Sequence, residues 1–267
     1  REQDKNLTPA EIRSILMSSA ASISGHPFDK GAGLINATGA LTRATRMLID
    51  GAEKGNLESI AGEYAEFNIT IVNKDSVSRT ITLTAENISE PDGNNSIAAS
   101  WDLPLPFTAP GNNNTTVRLR MKTNSGATPS VYGGTIIATS DLSETMRTPF
   151  TLTVPLYGDG TISMRTSDSS TSSKTGDIFY FKLISPNASG FTTYLSWPDP
   201  QYDMDMYLFS EGGLLLTYSA GLDDPEWVGA SNIYEKNYWV AANSYYVPSS
   251  GMSFEVATAY SSNLTII

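Results

Sequence analysis

The chain has 267 residues, enough for one large or two ordinary domains, and 40% of them are hydrophobic while only 17% are charged. A net charge of −11 argues against a nucleic-acid partner, because phosphate binding needs clustered Lys and Arg. The absence of cysteine excludes disulfides, thiolate metal sites and a cysteine nucleophile. No apolar run approaches the ~18 residues of a membrane span.

Residues 1–50 have a helical pattern. Thr8, Pro9 and Glu11 predict a capped helix start, followed by residues that share one face, namely Ile12, Ile15, Leu16 and Ser19. A second helix is predicted from about Asn36 to Ile49. About fifty residues with two short helices cannot bury a core alone, which indicates a larger parent domain.

The connector between these helices, "HPFDKGAGLINA", contains Gly31 and Gly33. Glycine permits positive φ and lets another backbone come close where a side chain would obstruct it. We therefore expect a tight backbone approach in this connector.

Residues 51–157 alternate with a period of two, as half-buried strands do. In "EFNITIV", Phe67, Ile69 and Ile71 point one way and the polar residues between them the other; "TITLTA" and "TVRLRM" repeat the pattern. Short strands with turns such as "PDGNN" predict an immunoglobulin-like or fibronectin-like β-sandwich.

A second β domain is predicted over residues 158–267, after a Ser/Thr-rich linker or loop at 165–177. Its candidate strands include "DIFYFKL", "TTYLSW", "DMDMYLF" and "NYWVAA", separated by Pro, Gly and Asn turns, which is typical of a sandwich or jelly roll. The fold class is therefore mainly β, with two β-sandwich or jelly-roll domains after a short helical segment.

Asn-x-Ser/Thr sequons are about twice as frequent as the roughly four that composition alone would give. They begin at Asn6, Asn36, Asn68, Asn87, Asn94, Asn113, Asn114, Asn187 and Asn263. Accidental sequons in a Thr-rich β protein are the alternative, but the excess favours a glycosylated extracellular or cell-surface protein.

Two segments resemble known families. "LTPAEIRSILMSSA" followed by "PFDKGAGLINATGAL" is similar to the end of the α/β catalytic domain of subtilisin-like serine proteases, where a Thr-Pro helix precedes a Gly-x-Gly-x-x-Asn-Ala segment and the final helix. This resemblance covers about 40 residues. It implies that residues 1–50 are the terminal helices of such a domain, and that their partner is a catalytic domain upstream.

The last region is similar to the pre-peptidase C-terminal domain, a β jelly roll often appended to secreted proteases. The resemblance lies in its Gly-Asp opening at Gly176, the strand "DMDMYL", a Gly turn, and a Glu before the penultimate strand.

No catalytic triad can be assembled. The subtilisin mechanism needs Ser, His, Asp and an oxyanion donor within hydrogen-bond reach, and in that family all of them lie upstream of the matching segment. The only histidine, His26, is in the connector and matches no catalytic position, while Ser18 and Ser19 fit small packing positions. No catalytic residue is assigned, and the chain alone should be inactive.

Calcium is the predicted cofactor, since jelly rolls that this region resembles often bind it. The candidate ligands are acidic residues in "PDPQYDMD" and "LDDPE": Asp203, Asp205, Asp223, Asp224 and Glu226. Carboxylates that share a strand face with Tyr207 repel each other, and a hard cation would relieve the repulsion. A solvated acidic face is the alternative.

Aromatic residues crowd the last domain at Trp197, Trp227, Tyr234, Tyr238, Trp239, Tyr245 and Tyr246. Aromatic strand residues usually fill a sandwich core, although exposed ones can hold sugars or extended peptides. Because Tyr245 and Tyr246 are adjacent, we expect at least one of them to be exposed.

Three functional hypotheses follow. The first is the non-catalytic C-terminal region of a secreted subtilisin-like endopeptidase, whose accessory domains give stability or bind a protein substrate or surface polysaccharide. The others are an inactive cell-surface structural or adhesion protein and a carbohydrate-binding module.

Without the parent domain, the N-terminal helices should dock on the neighbouring sandwich, self-associate or fray.

Overall fold

The computed structural model describes residues 7–42, 45–86, 88–90, 96–157, 159–166, 169, 176–184, 188–222, 224–231 and 237–261. Strands make up 59% and helices 9% of the structure, which confirms the mainly β prediction. The chain divides into two compact units, one formed by residues 1–127 and 132–153, the other by 128–131 and 154–267. No helix in the described part is long and apolar enough to cross a bilayer.

Three short helices lie near the N-terminus: α1 (Pro9–Ser18), α2 (Pro27–Lys30) and α3 (Ala37–Thr42). The capping box of α1 is formed, with the Glu11 amide donating to Thr8 Oγ1 at 3.2 Å and the Thr8 amide donating to Glu11 Oε2 at 3.0 Å. Two of the orphan amides at the helix start are thus satisfied by side chains, as the sequence predicts.

The connector glycines adopt the predicted positive φ, +55° at Gly31 and +124° at Gly33. Ala21 and Leu34 exchange two backbone hydrogen bonds of 2.8 and 2.9 Å around this turn. A Cβ on Gly33 would lie 2.2 Å from the Ala21 carbonyl oxygen, so the close approach needs glycine at this position.

The predicted second helix is wrong in its C-terminal half. Helix α3 ends at Thr42, and Thr45–Ile49 forms strand β1, which pairs antiparallel with Tyr64–Asn73. Met47 and Ile49 are fully buried while Arg46 and Leu48 are half-buried, a period of two. Pairing with a long central strand decides the conformation of this five-residue stretch, since local propensity is a weak constraint over so short a span.

Eleven strands, β1 to β11, form two sheets. Their bounds are Thr45–Ile49, Gly55–Glu58, Tyr64–Asn73, Arg79–Ala85, Ile88–Ser89, Ser96–Ile97, Ala99–Asp102, Phe107–Ala109, Asn113–Thr123, Ser130–Ser140 and Thr145–Val154. One sheet has the order β1-β3-β9-β7; the other has β2-β11-β10-β4-β8, with β5 and β6 attached through β10.

The core of the first unit lies between these sheets. Phe67, Ile69 and Ile71 are buried as the alternation predicts, and Asn68 is exposed on the opposite face. Trp101 joins the two sheets by packing edge-on against Phe67 at 6.2 Å and against Phe150 at 5.9 Å between ring centroids.

The N-terminal segment docks on this first sandwich. Ser18 Oγ accepts from the buried Met47 amide at 3.2 Å, and the Arg46 guanidinium lies 3.1 Å from the Glu11 carboxylate. In α2, Lys30 Nζ lies 3.8 Å from Glu86. Of the three fates expected for these helices, docking on the neighbouring sandwich is the one observed.

Nine further strands, β12 to β20, form the second unit. Their bounds are Leu156–Tyr157, Gly160–Thr166, Ile178–Ile184, Gly190–Ser196, Asp203–Ser210, Leu215–Ser219, Glu226–Ser231, Asn237–Tyr246 and Met252–Ser261. The sheets have the orders β12-β14-β19-β16-β17 and β13-β20-β15-β18. Most of the linker predicted at 165–177 lies outside the described residues.

Apolar side chains from both sheets fill the core of the second unit. Phe179 packs on Phe254 and Phe191 on Tyr238, each pair with ring centroids 5.0 Å apart. Met206 of β16 is fully buried in the same cluster. The inward side chains of β16 thereby set which way the carboxylates on that strand face.

Candidate functional site

Buried carboxylates mark the start of strand β16. Asp203 and Asp205 are only 8% and 6% exposed, and the intervening Met204 is fully buried in the core. The register with β19 shifts between the two aspartates, where Asp203 pairs with Tyr246 and Asp205 with Asn243. Such an irregularity re-aims side chains locally. The two carboxylates are therefore not a solvated face, which was the alternative interpretation.

Two donors hold the Asp205 carboxylate. Asn243 Nδ2 donates to Oδ2 at 3.1 Å across the β16–β19 pair, and the Tyr207 hydroxyl donates to the same oxygen at 3.2 Å. Burial nevertheless raises the pKa of Asp205, and the negative charge of Glu226 raises it further. Desolvation thus outweighs the two hydrogen bonds at this group.

The Asp203 carboxylate has fewer partners. Its Oδ1 is buried and makes no hydrogen bond to any residue that the structure describes. Burial raises the pKa of Asp203, and repulsion from Asp205 and Glu226 adds to the shift. An unpartnered oxygen in a group of like charges is a costly arrangement that a proton or a cation would relieve.

Glu226 completes this group from the other sheet. It is the first residue of β18, is 2% exposed, and accepts from the Gly221 amide at 2.9 Å. Three of the predicted residues, Asp203, Asp205 and Glu226, are thus close enough for their charges to repel each other, and they are called the acidic cluster below.

Of the other two candidate ligands, the structure describes only Asp224, which is not part of this cluster. Asp224 is exposed, and its Oδ1 accepts from the Trp197 amide at 3.4 Å. Asp223 lies outside the described residues. Asn243 was not among the predicted site residues, because its contact with Asp205 depends on strand pairing that sequence periodicity does not reveal.

The acidic cluster suits a hard cation in its donor chemistry, since carboxylate and amide oxygens are the ligands that Ca²⁺ takes. The unpartnered Asp203 Oδ1 fits a role as ligand. Within the described residues, however, no three His, Cys, Asp or Glu side chains converge in a metal-binding arrangement. The side chains therefore fit calcium by chemistry, and binding would require them to draw closer.

His26 has a structural role in the connector. It caps α2 through Nδ1, which accepts from the Phe28 amide at 3.2 Å. Nε2 lies 2.7 Å from the Ser89 carbonyl oxygen, which can only accept, so this nitrogen donates. Both ring nitrogens are occupied, and Ser18 and Ser19 are buried packing residues.

The aromatic residues of the second unit divide between core and surface. Trp197 and Tyr238 are buried, Trp239 is half-buried, and Trp227 is 61% exposed. Tyr245 and Tyr246 are both exposed, while Tyr234 lies outside the described residues.

Trp227 has an exposed aromatic neighbour on the next strand. Tyr194 of β15 is its direct cross-strand partner and is 44% exposed. The two residues therefore occupy adjacent positions on the solvent face of the β13-β20-β15-β18 sheet, and they are called the aromatic pair below.

Comparisons with known proteins found no matching family model and no matching curated protein. Among solved structures, a family 123 glycoside hydrolase from Clostridium perfringens has 15% identity and a TM-score of 0.34, covering 41% of this chain and 27% of its own. The secreted serine protease VesC from Vibrio cholerae has 7% identity and a TM-score of 0.38, and the match covers 77% of this chain and 49% of VesC.

A third solved structure is the pre-peptidase C-terminal domain of collagenase from Bacillus anthracis, with 10% identity and a TM-score of 0.30, covering 39% of this chain and 91% of that domain. The chain spans about half of VesC and about a quarter of the glycoside hydrolase. At such low TM-scores, these likenesses assign no function to the chain.

Proposed function

We propose that the chain is the non-catalytic C-terminal region of a secreted subtilisin-like serine endopeptidase, with two β domains that stabilise the protease or bring it to its substrate. The observation that carries this proposal is the order of elements in residues 7–42. The capped helix α1, the glycine connector closed against Ala21 and the short helix α3 occur in the order that the family resemblance implies.

Exposed apolar side chains on the N-terminal segment support the same proposal. Leu34, Ile35 and Leu41 are 62%, 69% and 63% exposed, although the rest of the segment is docked on the first sandwich. Such side chains gain stability when another surface covers them. In the proposed parent, the upstream catalytic domain is that surface.

The test is the sequence encoded immediately upstream of Arg1. A nucleophile helix of the Gly-Thr-Ser-Met-Ala type should occur there, and its absence would remove the protease proposal. A casein assay on this chain should detect no cleavage, because His26 is engaged by Phe28 and Ser89. Triad-type activity in this chain would contradict the proposed role.

Secretion of the parent is part of the proposal. The excess of sequons supports it, and Asn36, Asn68, Asn113 and Asn114 are exposed and accessible to glycosylation. Expression in a eukaryotic secretory host, followed by glycosidase treatment and mass spectrometry, tests whether these asparagines accept glycans.

We also propose that the acidic cluster binds calcium. Its three buried carboxylates and the unpartnered Asp203 Oδ1 support this proposal. A bound cation would relieve the repulsion among the carboxylates and stabilise the folded form by binding only to it. The melting midpoint should rise in calcium and fall with a chelator. A melting midpoint that is the same in calcium and in chelator would contradict the proposal.

The aromatic pair supports a second candidate function, binding of a surface polysaccharide. Exposed aromatic residues at adjacent positions of two neighbouring strands can form a platform on which sugar rings stack. Insoluble-polysaccharide pull-down should detect binding that Trp227→Ala abolishes, whereas Tyr245→Ala, at a 53% exposed tyrosine away from the pair, should not affect it. Equal losses in both variants would argue against the platform.

A further inference from the structure

Strand β17 (Leu215–Ser219) forms one edge of the five-stranded sheet. Its neighbour in that sheet is β16, and no second partner strand is found within the described residues. On the side away from β16, its backbone amides and carbonyls pair with no strand in the part of the chain that the structure describes, which makes a template for another strand.

Seven other edge strands in the described part of the molecule carry charges or adjoin prolines. Charged residues lie within five edge strands, at Arg46, Glu58, Asp102, Arg165 and Glu226. Prolines flank β8 and precede the two-residue strand β12, at Pro106, Pro110 and Pro155. These are the devices by which natural sheets avoid pairing with other chains. Strand β17, "LLTYS", contains neither a charge nor a proline.

Leucine and tyrosine side chains on and beside this edge face solvent. Leu214, Leu215, Leu216 and Tyr218 are 69%, 46%, 46% and 62% exposed. Tyr218 stacks on Tyr207 with ring centroids 6.2 Å apart and an interplanar angle of 28°, which supports the edge strand against the sheet. An incoming strand would thus find both a backbone template and apolar side chains beside it.

Charge indicates the kind of strand that fits. Residues 183–235 contain eight acidic residues and no Lys or Arg. Glu211 lies in the turn before β17 and Asp224 in the loop after it, both exposed. A second copy of the chain would oppose acidic residues to acidic residues, whereas a segment with Lys or Arg would be attracted.

We propose that β17 accepts one additional β-strand from a polypeptide partner whose bound segment is extended and alternates apolar residues with Lys or Arg. Backbone hydrogen bonds to the free edge provide the binding, and the acidic surroundings select the cationic segment. This inference does not depend on the protease parentage of the chain, on calcium or on the aromatic pair.

The first experiment measures amide exchange in the whole chain by mass spectrometry, with and without a short capped peptide of alternating valine and lysine. Pepsin is the digestion enzyme. We expect slower exchange confined to the fragment that contains residues 214–219. A peptide with glutamate in place of lysine should give no protection at the same concentration, and neither should a lysine peptide N-methylated at alternate amides, which cannot pair.

The second experiment uses a double variant, Leu216→Lys with Tyr218→Lys, which places cations on the edge. It should weaken binding of the valine-lysine peptide by about tenfold or more, because like charges would then face each other. Leu105→Lys is the matched control, since Leu105 is 85% exposed in the first unit and should leave binding unchanged. Melting curves of both variants verify that they fold.

Four outcomes would overturn the proposal. They are absence of protection at saturating peptide, equal binding of the N-methylated peptide, equal binding of the glutamate peptide, and unchanged binding by the double variant. Concentration-dependent self-association that protects residues 214–219 would also overturn it, because the occupant would then be a second copy of the chain.

Discussion

Glu11 connects the cap of α1 to the first sandwich. Hydrogen bonds from the Thr8 backbone, and then from Arg46 and the Thr8 hydroxyl, lower the pKa of Glu11 from 4.5 to about 2. A lowered pKa in the folded state means that the ionised carboxylate stabilises the fold. This stabilisation is fully present above the unfolded value of 4.5 and is lost as the pH falls through about 2.

We expect Glu11→Gln to lower the free energy of unfolding above pH 4.5. The effect should disappear as the pH falls towards about 2, because the wild-type carboxylate is then protonated and its hydrogen bonds no longer stabilise a charge. Urea unfolding of both proteins across the interval tests this. In a Thr8→Ala background, the difference in stability that Glu11→Gln makes should shrink. The Thr8→Ala substitution removes the Thr8 hydroxyl donor and weakens the cap that places the Thr8 amide beside Glu11. A difference that stays constant with pH would contradict the linkage.

Asp203 carries the opposite shift, since burial and its acidic neighbours raise its pKa. Without a cation, Asp203→Asn should therefore stabilise the protein by about 1 kcal/mol, because it removes a charge from a repulsive group. Thermal melting in chelator tests this expectation.

The same variant should also lose most of the rise in melting midpoint that calcium gives the wild type, since a ligand oxygen is lost. Asp224→Asn is the control, because Asp224 lies outside the acidic cluster and is exposed. If Asp203→Asn kept the full calcium response, Asp203 would not be a ligand.

At the scale of elements, the connector depends on one close contact. Gly33 and Gly25 have similar φ values of +124° and +119°. A Cβ on Gly33 would meet another backbone, whereas a Cβ on Gly25 would have no described residue within 4 Å. We expect Gly25→Ala to cost about 1–2 kcal/mol from its φ alone, and Gly33→Ala about 3 kcal/mol.

Hydrogen exchange at the Ala21 and Leu34 amides measures this difference, since these two groups bond across the turn. Exchange should accelerate strongly in Gly33→Ala and weakly in Gly25→Ala. Equal acceleration in both variants would show that backbone conformation, and not the close approach, decides the stability of the connector.

The elements also show which information the sequence contains. Alternation located Phe67, Ile69 and Ile71 in the core, and glycine pattern located the tight connector, because both depend on local geometry. Strand β1 and the Asn243–Asp205 contact escaped prediction, since each depends on which distant strand lies alongside. The burial of Asp203 and Asp205 followed from the same non-local pairing.

At the scale of the whole molecule, the division into two compact units predicts two unfolding transitions. Ile69→Ala and Phe181→Ala each remove a fully buried side chain, one in each unit, at an expected cost of about 2–5 kcal/mol. Calorimetry should show that each variant lowers a different transition. A single transition lowered by both variants would show that the units unfold together.

The absence of Lys and Arg from residues 183–235 affects how the chain is cleaved by proteases. Proteases of trypsin specificity cleave after those residues and have no site between Lys182 and Lys236, even when the chain is unfolded. Strands β15 to β18 therefore remain joined in one fragment after complete digestion, with the acidic cluster and the open edge intact in sequence. An environment rich in such proteases would spare this part of the molecule.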